Sequence, residues 1–128
     1  MKKVPLSRAT YVLLLKVLDV QNQMTKDIKH TIGRRLIDRV LDMMHNVRLA
    51  TDDAEHRKEH LLAYLGNLDE VETLLKACDE TCRIAPKTYT KLLEPLANCE
   101  KQAQGWAKSK KIDQSNSVGG VESSVESS

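Results

Sequence analysis

His56-Arg57-Lys58-Glu59-His60 is the one stretch of this chain whose residue types and spacing match a known piece of chemistry. It fits the H-x-x-E-H pattern of a zinc-binding helix, in which histidines four residues apart chelate one metal from the same helix face. A working site also needs a third ligand and a cleft beside the metal, and no downstream constellation supplies that ligand. The stretch lies in a strongly charged opening turn, so it is read as solvated surface. A carboxylate di-iron bundle needs Glu-x-x-His on two helices, and no Glu-x-x-His occurs. His30 and His45 are isolated surface or boundary residues. There is no Gly-rich phosphate loop, no G-x-S-x-G and no Cys/His pair with the logic of a nucleophile. No catalytic residue, metal ligand or cofactor is therefore assigned, and no enzymatic activity is expected. Cys78, Cys82 and Cys99 each fall in line with an apolar seam, where cysteine behaves as a small hydrophobe. A disulfide between Cys78 and Cys82, four apart on one expected helix, would strain that helix.

The elements around these residues follow from composition and periodicity. The chain has 128 residues, enough for one domain, with no Phe, one Trp, three Tyr and only five Gly and three Pro. It lacks alternating runs rich in Val, Ile and Thr. An all-α fold built on Leu follows. The basic start Met1-Lys2-Lys3-Val4-Pro5 is not followed by the apolar run of a signal peptide. No apolar run approaches the 18 or so residues of a membrane span. No membrane association is expected, and a reduced, cytoplasmic protein is the default.

Ser7 is the expected N-cap of a first helix over about 8–24. From Tyr11 to Val20, eight of ten residues are apolar. A helix apolar all round wants burial on all sides, more than one small bundle can give. Tyr11, Leu13, Leu14 and Val17 are accordingly assigned to a subunit interface; the alternative is a central core helix in a monomer. The stretch 25–33 is expected to be a connection or a loose opening turn of the second helix, since Gly33 is unfavourable inside a helix by about 1 kcal/mol.

The second helix, 34–51, carries the seam Leu36, Val40, Met43, Val47 and Ala50. Arg34 and Arg48 lie opposite that seam and Arg35 and Arg39 on its flank, with Asp38 and Asp42 placed to pair locally. Thr51-Asp52-Asp53 makes a turn and caps a third helix, 54–82, with the seam Leu61, Leu65, Leu68, Val71, Leu75, Cys78 and Cys82. Pro86 suits the first turn of a fourth helix. Pro95 removes a bond to the Lys91 carbonyl and should kink that helix. Its seam is Tyr89, Leu92, Leu96, Cys99, Ala103 and Trp106, and Lys87, Lys91, Lys101 and Lys108 form a row roughly 200° away. Short connections make neighbours antiparallel, giving an up-down-up-down four-helix bundle over 1–111. Residues 112–128, with Val-Glu-Ser-Ser written twice, cannot bury a core and are expected to be a disordered acidic, Ser-rich tail.

Charge is unevenly spread. The segment 112–128 has three acids and no Lys or Arg, so the body holds 20 basic and 15 acidic residues, a net charge of +5. Lys26 to Arg48 holds six bases and three acids, and Arg83 to Lys111 seven bases and two acids. Glu59 to Glu80 reverses this, with six acids and Lys76 as the only Lys or Arg. Antiparallel packing can set the two basic helices on one surface. Basic helices without exposed aromatics suit contact with nucleic-acid phosphates and not base stacking on single strands. The expected contacts are Lys26, Arg34, Arg35, Arg48, Lys87, Lys91, Lys101, Lys108, Lys110 and Lys111. An ordinary solvated surface would show the same charges.

Lys26, the Ile32-Gly33 step into the basic helix, Ala50 at its end, and the ending Gly105-Trp106-Ala107-Lys108-Ser109 complete a recognisable set. With them the chain, over about 8–111, resembles the four-helix-bundle family of the 23S rRNA intervening-sequence proteins and the accessory variability determinant (Avd) of diversity-generating retroelements. It departs at Thr25, where many relatives carry Pro. The resemblance implies a barrel-like homopentamer with a basic surface. In retroelements such a protein binds the reverse transcriptase and template RNA or cDNA, and supports mutagenic cDNA synthesis without catalysing it. The alternative within the same family is an oligomeric helical protein-interaction scaffold with no retroelement role.

Overall fold

The computed structural model describes residues 5–109. The expectations for Lys110, Lys111 and the segment 112–128 lie outside the described residues. The described chain is helical almost throughout. Its elements are α1 (Leu6–Gln23), a single turn α2 (Lys26–Lys29), α3 (Ile32–Asp52), a 3-10 turn (Ala54–His56), α4 (Arg57–Glu80) and α5 (Pro86–Lys108).

The four long helices form a ring of contacts: α1 packs on α3 and α5, and α4 packs on the same two. The α1–α4 and α3–α5 pairs are therefore the diagonals of the bundle. The core runs down the middle, where Leu13, Leu36, Val40, Met43, Leu61, Val71, Leu75, Cys99 and Ala103 are wholly buried. Complete burial of one such Leu contributes about 2 kcal/mol.

Several helix ends differ from the sequence reading. Ser7 does not cap α1. The extended Pro5 does, and its carbonyl accepts from the amides of Arg8 and Ala9, both at 3.0 Å. Gly33 sits inside the first turn of α3 and is buried. A Cβ there would meet Gln21 Cγ at 2.7 Å and Met24 Sδ at 3.1 Å. Gly33 thus admits the end of α1 against α3, and that close approach outweighs its poor helix propensity. In α4 the seam runs Leu61, Tyr64, Leu68, Val71, Leu75, Cys78. Leu65, placed in the seam from sequence, is half-buried, and Cys82 is exposed beyond the helix. Tyr64 takes the core position because its hydroxyl has a partner there.

Cys82 ends α4 in the left-handed region, at φ 58°. The Arg83 amide bonds the Cys78 carbonyl at 2.8 Å and the Cys82 amide bonds the Asp79 carbonyl at 3.1 Å. This is a Schellman ending, with Cys82 in the position that glycine usually holds. Helix α5 starts with Pro86 and is helical through Pro95 to Lys108.

The first helix needs the largest correction. Leu13 and Val17 are wholly buried in the core of the single chain, so they are not free to form a subunit interface. Their i,i+4 spacing, with Leu6, Ala9, Thr10 and Val20, makes the inward face. The outward face carries Tyr11, Leu15 and Leu18, all exposed, with Leu14 half-buried between the two.

Candidate nucleic-acid interface

The row opposite the α5 seam is solvent-facing: Lys87, Lys91, Lys101 and Lys108 are exposed while Leu92, Leu96, Cys99 and Ala103 are buried. Seam and row are offset by about half a turn, so burying one turns the other to water. On α3, Arg34 and Arg48 are exposed opposite Leu36, Val40 and Val47. Lys26 is exposed at the start of α2. Among the described residues none of these seven forms an ion pair. Arg35 is different: its Nε donates to the Glu70 carboxylate on α4, across the helix pair. The local pairing expected for it with Asp38 does not form, whereas Arg39 pairs with Asp42 at 3.1 Å.

The two basic rows do not share one flat surface. Helices α3 and α5 stand on a diagonal, so their outward faces diverge, with acidic α4 on one side and apolar α1 on the other. What the fold brings together is one end of the bundle. The Thr25 amide bonds the Arg83 carbonyl at 3.4 Å, Arg83 Nε donates to Asp27 at 2.9 Å, and Thr88 Oγ1 donates to Gln23 at 3.0 Å. These bonds hold the α1–α3 connection against the α4–α5 connection. Lys26, Arg34 and Lys87 gather at that end, while Arg48 and Lys108 belong to the opposite one. Asp27 answers Arg83, and the two hydrogen bonds it accepts, from Thr25 first and Arg83 second, hold its carboxyl below the usual value.

The histidine motif is arranged for capping. Asp53 accepts from His56 Nδ1 and from His60 Nε2, each at 3.0 Å, and its side chain also caps the His56 amide. Both ring nitrogens that would face a metal are thus occupied by a carboxylate. Among the described residues no group of three His, Cys, Asp or Glu side chains is placed to hold a metal ion.

Arg57 was not singled out from sequence. Its Nε donates to the Ala50 carbonyl at 2.7 Å and its guanidinium lies 5.4 Å from the centre of the Trp106 ring. It therefore joins the end of α3 to the end of α5, and gives Ala50 and Trp106 a structural purpose. No periodicity signals an arginine in that role.

One polar group is built into the core. Thr10 Oγ1 donates to the Leu6 carbonyl at 2.8 Å and lies 2.7 Å from the Tyr64 hydroxyl. Burial pushes the Tyr64 phenol and the Cys99 thiol beside it upward, so neither is a nucleophile. An open groove of about 660 Å³ runs along the outside of the α1–α5 pair, with Val12, Lys16, Pro95, Ala97 and Lys101 among its lining residues. Glu94 and Glu100 line it as well. No helix of the described residues is long and apolar enough to cross a membrane.

Compared with protein-family models and with curated proteins, the chain matches none of them.

Proposed function

We propose that this protein is a non-enzymatic accessory protein of a diversity-generating retroelement. It binds template RNA or its cDNA together with the reverse transcriptase, and supports mutagenic cDNA synthesis without catalysing a step. The observation that carries the reading is the exposed, unpaired row Lys87, Lys91, Lys101 and Lys108 with Arg34 and Arg48. Exposed cations without acidic partners are free to neutralise phosphates and release the counterions condensed on the nucleic acid, which is the main driving term of phosphate binding. Lys26, Arg34 and Lys87 at one end of the bundle form the first contact surface. The resemblance to the Avd and intervening-sequence proteins adds the retroelement and the polymerase partner; the cytoplasmic setting is the default for a chain with reduced cysteines. The bundle is read as up-down-up-down and antiparallel, because each connection is short and the end-to-end bonds through Arg83 and Arg57 join opposite termini.

The active form is a homo-oligomer, read as a barrel-like pentamer. Tyr11, Leu15 and Leu18 on the outward face of α1 support self-association, since exposed leucines in a row seek cover. The same stripe favours a second reading, an oligomeric protein-interaction scaffold of the intervening-sequence type. Fluorescence anisotropy of a labelled RNA and a labelled DNA, titrated with the full chain at several salt concentrations, separates the two. Salt-dependent binding supports the accessory role. Absence of binding to either leaves the scaffold.

A further inference from the structure

The α3–α4 junction holds a cluster that phosphate binding does not use. Asp53 closes α3, and its carboxylate accepts from His56 Nδ1 at 3.0 Å, His60 Nε2 at 3.0 Å and the His56 amide at 3.4 Å. Arg57 follows directly, held on the Ala50 carbonyl and stacked over Trp106 near the end of α5. One carboxylate, two imidazoles and a guanidinium thus tie the end of α3, the start of α4 and the end of α5 at one corner.

We propose that Asp53, His56 and His60 form a proton-sensitive clamp at this corner, tightest in mildly acidic solution, which sets through Arg57 how firmly the end of α5 is seated. A neutral imidazole already donates one hydrogen bond to Asp53. An imidazolium makes the same bond charge-assisted and about twice as strong. The ligand of the site is the proton, and it has access: His56 is exposed and Asp53 and His60 are half-buried.

The 3-10 turn packs chiefly on α3 and α4. From α3 it meets Asp53, with Asp52 alongside; from α4 it meets Arg57, Glu59 and His60; within the turn lies Glu55. Helix α5 contributes the Trp106 ring, with Lys108 the nearest charge in its sequence. The net balance favours the proton. Asp53, by hydrogen bond and charge, holds the His56 imidazole above its ordinary 6.5, and Glu55 and Glu59 act the same way. His60 and then His56 hold the Asp53 carboxyl below its ordinary 3.8. A group raised in the folded state stabilises fully below its unfolded value and loses that effect as pH rises through the folded value. A depressed carboxyl stabilises above its unfolded value and loses the effect as pH falls. The clamp is therefore strongest between 3.8 and 6.5 and slackens above that window. This inference does not depend on the nucleic-acid reading.

Trp106 is the only tryptophan in the chain, so its fluorescence reports on this corner alone. The full chain is titrated from acidic to mildly alkaline pH, following Trp106 emission and the histidine ring protons by NMR. The expected result is a Trp106 transition with a midpoint above 6.5, shared with the His56 resonance. Asp53→Asn, which keeps an oxygen acceptor for the turn, should bring the His56 midpoint down and flatten the Trp106 transition. His56→Gln with His60→Gln should abolish it. A flat Trp106 signal in the wild type overturns the proposal. So does a wild-type His56 midpoint at or below 6.5, or an unchanged transition in the double variant, which would assign it to His30 or His45.

Discussion

Thr10 and Tyr64 meet at the centre of the bundle, and the direction of their hydrogen bond fixes what each substitution should cost. Thr10 Oγ1 has a single hydrogen. It lies 2.8 Å from the Leu6 carbonyl, which only accepts, so that hydrogen goes there. Tyr64 must then donate its own hydrogen to Thr10 Oγ1 across 2.7 Å. Both residues are wholly buried, so neither can turn to water. Tyr64→Phe removes a donor and leaves Thr10 with an idle lone pair but its own hydrogen satisfied. The loss should be about 1 kcal/mol, the net worth of one neutral hydrogen bond. Thr10→Val is nearly the same size but leaves the Tyr64 hydroxyl only the weakly accepting Cys99 sulfur beside it in an apolar core. Its cost should be nearer 2 kcal/mol, within the 1–3 range for a stranded buried group. The double variant removes both halves and should cost less than the sum, with a coupling of about 1 kcal/mol. Urea unfolding of the four proteins, followed by circular dichroism, measures all three values. Equal costs, a reversed order or strict additivity would refute the assigned donor direction.

Three further outcomes follow from the helix ends and faces. Cys82→Gly should stabilise the fold by about 0.5–1 kcal/mol, because glycine takes φ 58° without the strain a side chain meets there; an unchanged or lower urea midpoint would count against the Schellman assignment. Tyr11→Glu with Leu15→Glu should lower the mass seen by light scattering and leave helicity intact, since both residues face outward. Leu13→Glu should unfold the chain instead, because it buries an unpaired charge. Loss of helicity in the Tyr11/Leu15 variant would show that stripe to be core.

The seams of α3 and α5 were legible because apolar spacings of three and four survive directly as buried faces. In α5 every lysine of the predicted outward row is exposed, and in α3 so are Arg34 and Arg48. Helix α1 was not legible in the same way. With eight of ten residues apolar from Tyr11 to Val20, periodicity cannot say which face turns inward, and Leu13 and Val17 prove to be on the inner one. Tyr64 is not legible as core from periodicity alone, because a hydroxyl argues against a core position until its partner, 54 residues away, is known. Arg35 was assigned to phosphate, but its acid lies on the neighbouring helix. The sharing of one surface by α3 and α5 is a matter of which helices are diagonal, and local periodicity carries no information on that.

The central claim is that exposed lysines of α5 hold nucleic-acid phosphates. The most direct measurement is the salt dependence of RNA affinity for wild type, for Lys87→Glu with Lys91→Glu, and for Lys58→Glu with Lys76→Glu on the acidic helix as comparator. All four parent lysines are on the surface, where ion pairs are worth about 0–1 kcal/mol, so helicity should be unchanged. Each lost phosphate contact flattens the plot of log affinity against log salt by about one unit. The Lys87/Lys91 variant should therefore bind weakly at moderate salt, with a slope shallower by about two, while the Lys58/Lys76 variant stays close to wild type. Equal effects from both pairs, or a wild-type affinity that ignores salt, would contradict the account.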